Sequence, residues 1–129
     1  MHDAPRVLVV DDDAAIRDLI VAALTSEGYG ALAAPTARDA LQLAADSPPD
    51  LILLDLTMPI MDGRAFAQAY RQAPGTKAPI IALTALQGVD AAAAAEQMGA
   101  SGFLTKPFDL QALLSLIDHH TRPVGAAPG

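Results

Sequence analysis

With 129 residues, 52% of them apolar, the chain is sized for one domain with a real core and is too apolar for a disordered segment. Its formal net charge of −7, from 15 acidic and 8 scattered basic side chains, lacks the basic stripe that direct nucleic-acid binding requires. There is no Cys, which excludes disulfides, thiolate metal sites and cysteine nucleophiles, and no apolar run approaches membrane-spanning length. The first residues, Met1-His2-Asp3-Ala4-Pro5-Arg6, carry no apolar signal region, so the expectation is a soluble cytoplasmic protein.

Val7-Leu8-Val9-Val10 is a continuous apolar run that stops abruptly at Asp11-Asp12-Asp13, the pattern of a strand buried on both faces. Ile16, Leu19, Ile20, Ala23 and Leu24 follow helical spacing, with Asp13 as N-cap and Gly28 as stop. Tyr29 to Ala34 is the next expected strand, Ala-rich and weakly marked. A helix from about Thr36 to Ala45 follows, with Thr36 as N-cap, and Ser47-Pro48-Pro49 ends it. Leu51-Ile52-Leu53-Leu54 is a second strong strand and delivers Asp55 at its end. Met58 to Gly63 reads as a turn into a helix across Ala65 to Arg71. Pro79 to Leu83 is a third strong strand, ending in Thr84. An Ala-rich helix covers Val89 to Met98, with Gly99 as its cap, and a last strand runs from Ser101 to Thr105 before Lys106-Pro107. Leu110, Leu113, Leu114 and Ile117 line one face of a final helix. Strands alternating with amphipathic helices imply a parallel sheet covered on both faces and joined by right-handed crossovers. The Pro/Gly-rich tail, residues 123–129, is expected to be disordered or to begin a linker, with the domain itself spanning residues 1–122.

In an open parallel sheet, ligands bind beyond the carboxyl ends of the strands. Here those ends carry Asp11 and Asp12, Asp55, Thr84 and Lys106. Three carboxylates in one crevice repel each other, and a hard divalent cation such as Mg²⁺, which prefers oxygen ligands, relieves the repulsion. Asp55 then qualifies as a nucleophile toward phosphorus, with Lys106 able to neutralise one phosphoryl oxygen and the Thr84 hydroxyl able to donate to another.

At these residues the chain resembles the bacterial response-regulator receiver domains of the two-component systems, the CheY-like superfamily. The resemblance is carried by Val9-Val10-Asp11-Asp12, by Leu54-Asp55-Leu56-Thr57-Met58-Pro59-Ile60-Met61-Asp62-Gly63, by Leu83-Thr84-Ala85 and by Lys106-Pro107-Phe108. It runs from about Arg6 to His120 with order and spacing intact. It implies a doubly wound five-stranded α/β fold with strand order 2-1-3-4-5. It makes Asp55 the phosphoacceptor, supplied by a histidine kinase or a histidine phosphotransfer protein. Asp11 and Asp12 become the acidic pair for Mg²⁺ (or Mn²⁺), with Thr57 adding its backbone carbonyl. Thr84 and Lys106 correspond to the switch hydroxyl and the phosphate-binding lysine. Phe103 stands at the rotameric switch position in place of the common Tyr, and a cis Lys106-Pro107 bond is implied. The expected output is an altered face of the last two helices and the strand between them, read by a protein partner or output domain, with no direct contact to nucleic acid or membrane. Thr57 and Leu86 flank the site where family members tune hydrolysis.

Other readings compete with this one. A plainer reading makes Asp11, Asp12 and Asp13 helix-capping residues, which accounts for Asp13 but not for Asp55 at another strand end, so the metal reading of Asp11 and Asp12 is preferred. A phosphohydrolase of the haloacid-dehalogenase type needs an acid two residues after the nucleophile, where this chain has Thr57. A pseudo-receiver usually lacks one of the chemical residues, and none is missing here. The domain is therefore expected to catalyse only its own phosphorylation and dephosphorylation, alone or as a module of a transcription factor or hybrid kinase. The final helix has no Lys or Arg before Arg122, a departure from the receivers that dimerise through salt bridges on that face, so the resemblance implies a monomer or weak dimer. His2, His119 and His120 read as surface residues, and Leu116 falls off the buried stripe where a partner contact is expected.

Overall fold

The computed structural model describes residues 4–56, 63–75, 77–85 and 88–121. Strands β1 (Arg6–Val10), β2 (Gly30–Ala34), β3 (Leu51–Asp55), β4 (Ile80–Thr84) and β5 (Gly102–Thr105) alternate with five helices. These are α1 (Ala14–Ser26), α2 (Ala37–Asp46), α3 (Gly63–Gln72), α4 (Gly88–Gln97) and α5 (Leu110–Thr121). The strands form one parallel sheet in the order β2-β1-β3-β4-β5, as expected.

The apolar runs of β1, β3 and β4 are continuous because both faces of the sheet are covered. Alternate residues divide between two cores. Val7, Val9, Leu51, Leu53, Ile81 and Leu83 pack with Ile20 and Leu24 of α1 and Leu113 and Ile117 of α5. Leu8, Val10, Ile52, Leu54, Ile80 and Ala82 face the opposite way, against Ala40 and Ala44 of α2, Phe66 and Tyr70 of α3, and Ala95 of α4. Burying each large side chain contributes about 1.5–3 kcal/mol, so these central strands dominate stability. Phe66 and Tyr70 stack with ring centroids 5.9 Å apart and anchor α3 in a chain poor in aromatics.

The helix ends match the sequence. Asp13 Oδ1 accepts hydrogen bonds from the Ala15 and Ile16 amides at 3.0 and 3.2 Å, and Thr36 Oγ1 accepts from the Asp39 amide at 3.1 Å. Such caps are worth about 1 kcal/mol each. Gly28 and Gly99 both take positive φ, where a side chain is strained.

Two surface expectations need correction. Leu116 is half-buried and packs against the α1–α5 core, because β5 offers it Gly102, at which an added methyl would lie 3.6 Å from Leu116 Cδ1. His120, expected on the surface, is half-buried for the same reason, and its Nδ1 pairs with the Leu116 carbonyl at 3.0 Å. His119 is exposed as expected. In α4 the stripe toward the sheet is Ala91 and Ala95, followed by Met98, while Val89 is 84% exposed. The Met58–Gly63 turn (but for Gly63, where α3 begins), Thr57, Leu86, His2 and the tail beyond Thr121 lie outside the described residues.

Candidate functional site: an acidic crevice at the carboxyl edge

The carboxyl ends of β1 and β3 lie side by side, since Val10 pairs with Leu54. Each strand's next side chain therefore emerges into one crevice. Asp11 and Asp55 are buried, Asp12 is exposed, and oxygens of the three carboxylates lie within 4.8 Å of one another. Opposite them, β5 leads to Lys106, whose amide donates to the Thr84 carbonyl at 2.7 Å. Its Nζ reaches Asp11 Oδ2 at 3.1 Å and Asp55 Oδ2 at 3.4 Å. The Lys106-Pro107 bond is cis, as the resemblance implied.

Thr84 is buried at the end of β4, on the strand that pairs Leu83 with Asp55. Phe103 pairs with Ala82 and packs against the core on the α2–α3–α4 side, so it sits beneath the crevice. Of the residues expected to act, Asp11, Asp12, Asp55 and Lys106 come together directly, Thr84 lies at the neighbouring strand end, and Phe103 stands a layer away.

The electrostatics follow from burial. Loss of solvent pushes the Asp11 carboxyl above its ordinary range, the Asp55 charge adds to this, and the Asp13 amide and Lys106 act in the opposite direction. Burial alone lowers the Lys106 ammonium, but the hydrogen bond to Asp11 and the two carboxylate charges outweigh it and hold the group above its ordinary value. Lys106 faces three clustered acids, and their mutual repulsion leaves the crevice suited to a further positive charge. Its donors are all oxygens, a set that suits a small hard divalent cation. The residues fit Mg²⁺.

Sequence reasoning missed Arg17. Its Nη1 donates to the Asp11 main-chain carbonyl at 2.9 Å. A side chain reaching back six residues to a carbonyl leaves no periodic signature; the available signal was a cation near a helix amino terminus, where the helix dipole disfavours it.

The fold and the crevice define an open, doubly wound α/β domain whose ligand site lies at the carboxyl edge of its sheet. The sequence profile of the response regulator receiver domain matches residues 7–118, and the chain belongs to that family. It is 40% identical over 110 residues to response regulator MprA of Mycolicibacterium vanbaalenii, covering 85% of this chain and 47% of that protein. It is 40% identical over 118 residues to the transcriptional regulatory protein GlrR of Escherichia coli, covering 91% of this chain and 26% of that one. The chain thus spans less than half the length of these curated relatives. The crystal structure of a putative response regulator from Chloroflexus aurantiacus superposes with a TM-score of 0.86 at 31% identity, covering 94% of this chain and 100% of the other.

Proposed function

We propose that this receiver domain is a phosphoacceptor switch in which Asp55 takes a phosphoryl group from a phosphohistidine donor, a histidine kinase or histidine phosphotransfer protein. The observation that carries the reading is the convergence of Asp11, Asp12 and Asp55 within 4.8 Å beside the Lys106 ammonium. Asp11, Asp12 and Asp55 would hold Mg²⁺, with the Thr57 carbonyl as a further ligand, and the ion when bound neutralises phosphoryl oxygen charge. A carboxylate oxygen of Asp55 attacks phosphorus; the new O–P bond forms as the donor's N–P bond breaks, and that electron pair leaves on the imidazole nitrogen. Lys106, already within reach of Asp55, turns its charge to the phosphoryl group, and Thr84 offers its hydroxyl to another oxygen. No external substrate is turned over.

The added dianion draws Lys106 and Thr84 inward, and Phe103 responds by repacking between β5 and α4. A partner or output domain that prefers the altered α4–β5–α5 face then shifts the population by its differential affinity. The small Ala91 and Ala95 contacts of α4 suit a helix that moves, because little buried area resists the shift. We place the domain, residues 1–122, in the cytoplasm as a monomer or weak dimer. The longer relative GlrR is a transcriptional regulatory protein, which supports a role as the input module of such a protein.

The test is incubation with acetyl phosphate, with and without Mg²⁺, in wild type and Asp55→Asn, read by intact mass. A single Mg²⁺-dependent phosphoryl adduct absent from the variant is expected. No adduct under any condition would leave only a phosphorylation-independent binding role.

A further inference from the structure

Asp11 lies one residue beyond the last β1–β3 pair, Val10 with Leu54, and is fully buried. Its amide still donates to the Ala34 carbonyl at 3.2 Å. Its own carbonyl, past the ladder and out of solvent, needs a donor, because an unpaired buried backbone oxygen is costly. The Arg17 guanidinium supplies it at 2.9 Å. That carbonyl belongs to the peptide joining Asp11 to Asp12, so whatever fixes it fixes the direction in which both side chains leave the backbone.

The rest of the loop closes around the same peptide. The Arg17 amide donates to the Asp13 carbonyl at 2.9 Å, and the Asp13 amide donates to Asp11 Oδ1 at 3.0 Å. Asp13 in turn caps α1 through Ala15 and Ile16. The exposed Asp12 sits inside this ring of bonds. Arg17 occupies the fourth position of α1, whose first turn carries no acid. A cation there works against the helix dipole, so the placement gains nothing for α1 and calls for a compensating partner.

We propose that Arg17 is a positioning residue of the acidic crevice, whose bond to the Asp11 carbonyl holds the Asp11–Asp12 peptide in the orientation that presents both carboxylates to a divalent cation. The inference deepens the reading of the crevice as a Mg²⁺ site and rests on it. Outer groups that orient metal ligands typically matter tenfold or more to affinity.

A purely electrostatic role makes the opposite prediction. Arg17 as a nearby positive charge repels Mg²⁺, so its removal would tighten binding; as a positioning group, its removal loosens binding. The sign therefore decides. Mg²⁺ affinity is measured by titration calorimetry on the full chain for wild type, Arg17→Ala and Arg17→Lys, alongside thermal melts of the metal-free proteins. Roughly tenfold weaker binding is expected for Arg17→Ala, with affinity largely restored in Arg17→Lys and the metal-free melts close to wild type. Equal or tighter binding by Arg17→Ala, with wild type binding normally, overturns the positioning role alone. A wild type that binds no Mg²⁺ overturns the crevice reading and the inference with it. Arg17→Met, which keeps the aliphatic stem, carries the same comparison if the Ala variant does not fold.

Discussion

Lys106 Nζ stands 3.1 Å from Asp11 Oδ2, paired with a carboxylate that solvent does not reach. The lysine thus occupies, in the metal-free protein, part of the electrostatic role that a divalent cation would take. Its removal leaves three carboxylates with no counter-charge from β5. Lys106→Met should destabilise the metal-free protein by about 3 kcal/mol, the low end for a buried pair because the lysine is partly exposed, since breaking the pair strands its partner. Saturating Mg²⁺ should recover most of that loss, so the Mg²⁺-induced rise in Tm should exceed the wild-type rise. Equal rises in the two proteins would mean that lysine and metal do not compete for the same charge.

The same burial gives a pH dependence with a definite sign. Asp11 is raised above its ordinary range, chiefly by desolvation and then by Asp55. Between the unfolded and folded pKa values the native state binds the extra proton, so stability falls as pH rises through this window. The group therefore costs stability at neutral pH and ceases to do so on acidification toward the ordinary carboxylate range. Lys106 has the reverse assignment: its raised pKa contributes stability that persists below about 10.5 and is lost at higher pH. Asp11→Asn should accordingly melt higher than wild type at pH 7 in chelator, with the difference shrinking as pH falls. Melting curves across pH check this, and a variant that melts lower at neutral pH would show that the Lys106 pairing outweighs burial.

A third expectation concerns the far end of the sheet. Gly99, at φ +74°, follows α4, and a Cβ built there would lie 2.8 Å from Arg71 Cζ. Gly28, at φ +89°, has nothing within 4 Å. Gly28→Ala should cost about 1 kcal/mol from backbone strain alone. Gly99→Ala should cost about 1–2 kcal/mol, the same backbone strain with a small addition for displacing the exposed, flexible Arg71 guanidinium. Arg71→Ala should return part of that excess, so a double-mutant cycle by urea denaturation should show coupling at Gly99 and none at Gly28.

Legibility in the sequence varied with burial. β1, β3 and β4 announced themselves because a strand covered on both faces is apolar throughout, and the polar residue that ends each run marks the site. The edge strand β2, Gly-Ala-Leu-Ala-Ala, is half-exposed over most of its length and was placed as much by its spacing between two helices as by its own residues. Leu116 and His120 were misread because a helical stripe registers what faces the sheet on average, while their burial depends on a single glycine, Gly102, in the neighbouring strand. The acids and the lysine of the crevice were readable as strand ends. Arg17 was not, because its action runs through a main-chain oxygen that any residue would supply.

The final prediction follows the route from the crevice to the opposite layer. Thr84 pairs with Thr105, and Ala82, two residues earlier, pairs with Phe103. Side chains two apart on a strand share a face, so the space beside Thr84 and the Phe103 ring belong to the same side of the sheet. Phe103 is only half-buried there, so part of the ring faces solvent rather than packed side chains. If Thr84 links the two, Thr84→Ala should still accept a phosphoryl group at Asp55, at a reduced rate, while the Phe103 ring no longer responds. Ring resonances of Phe103, assigned by NMR and followed on phosphorylation, should shift in wild type and stay near their unphosphorylated positions in Thr84→Ala. Matching shifts in both proteins would show that Phe103 takes its signal by another path, with α4 the next element to probe.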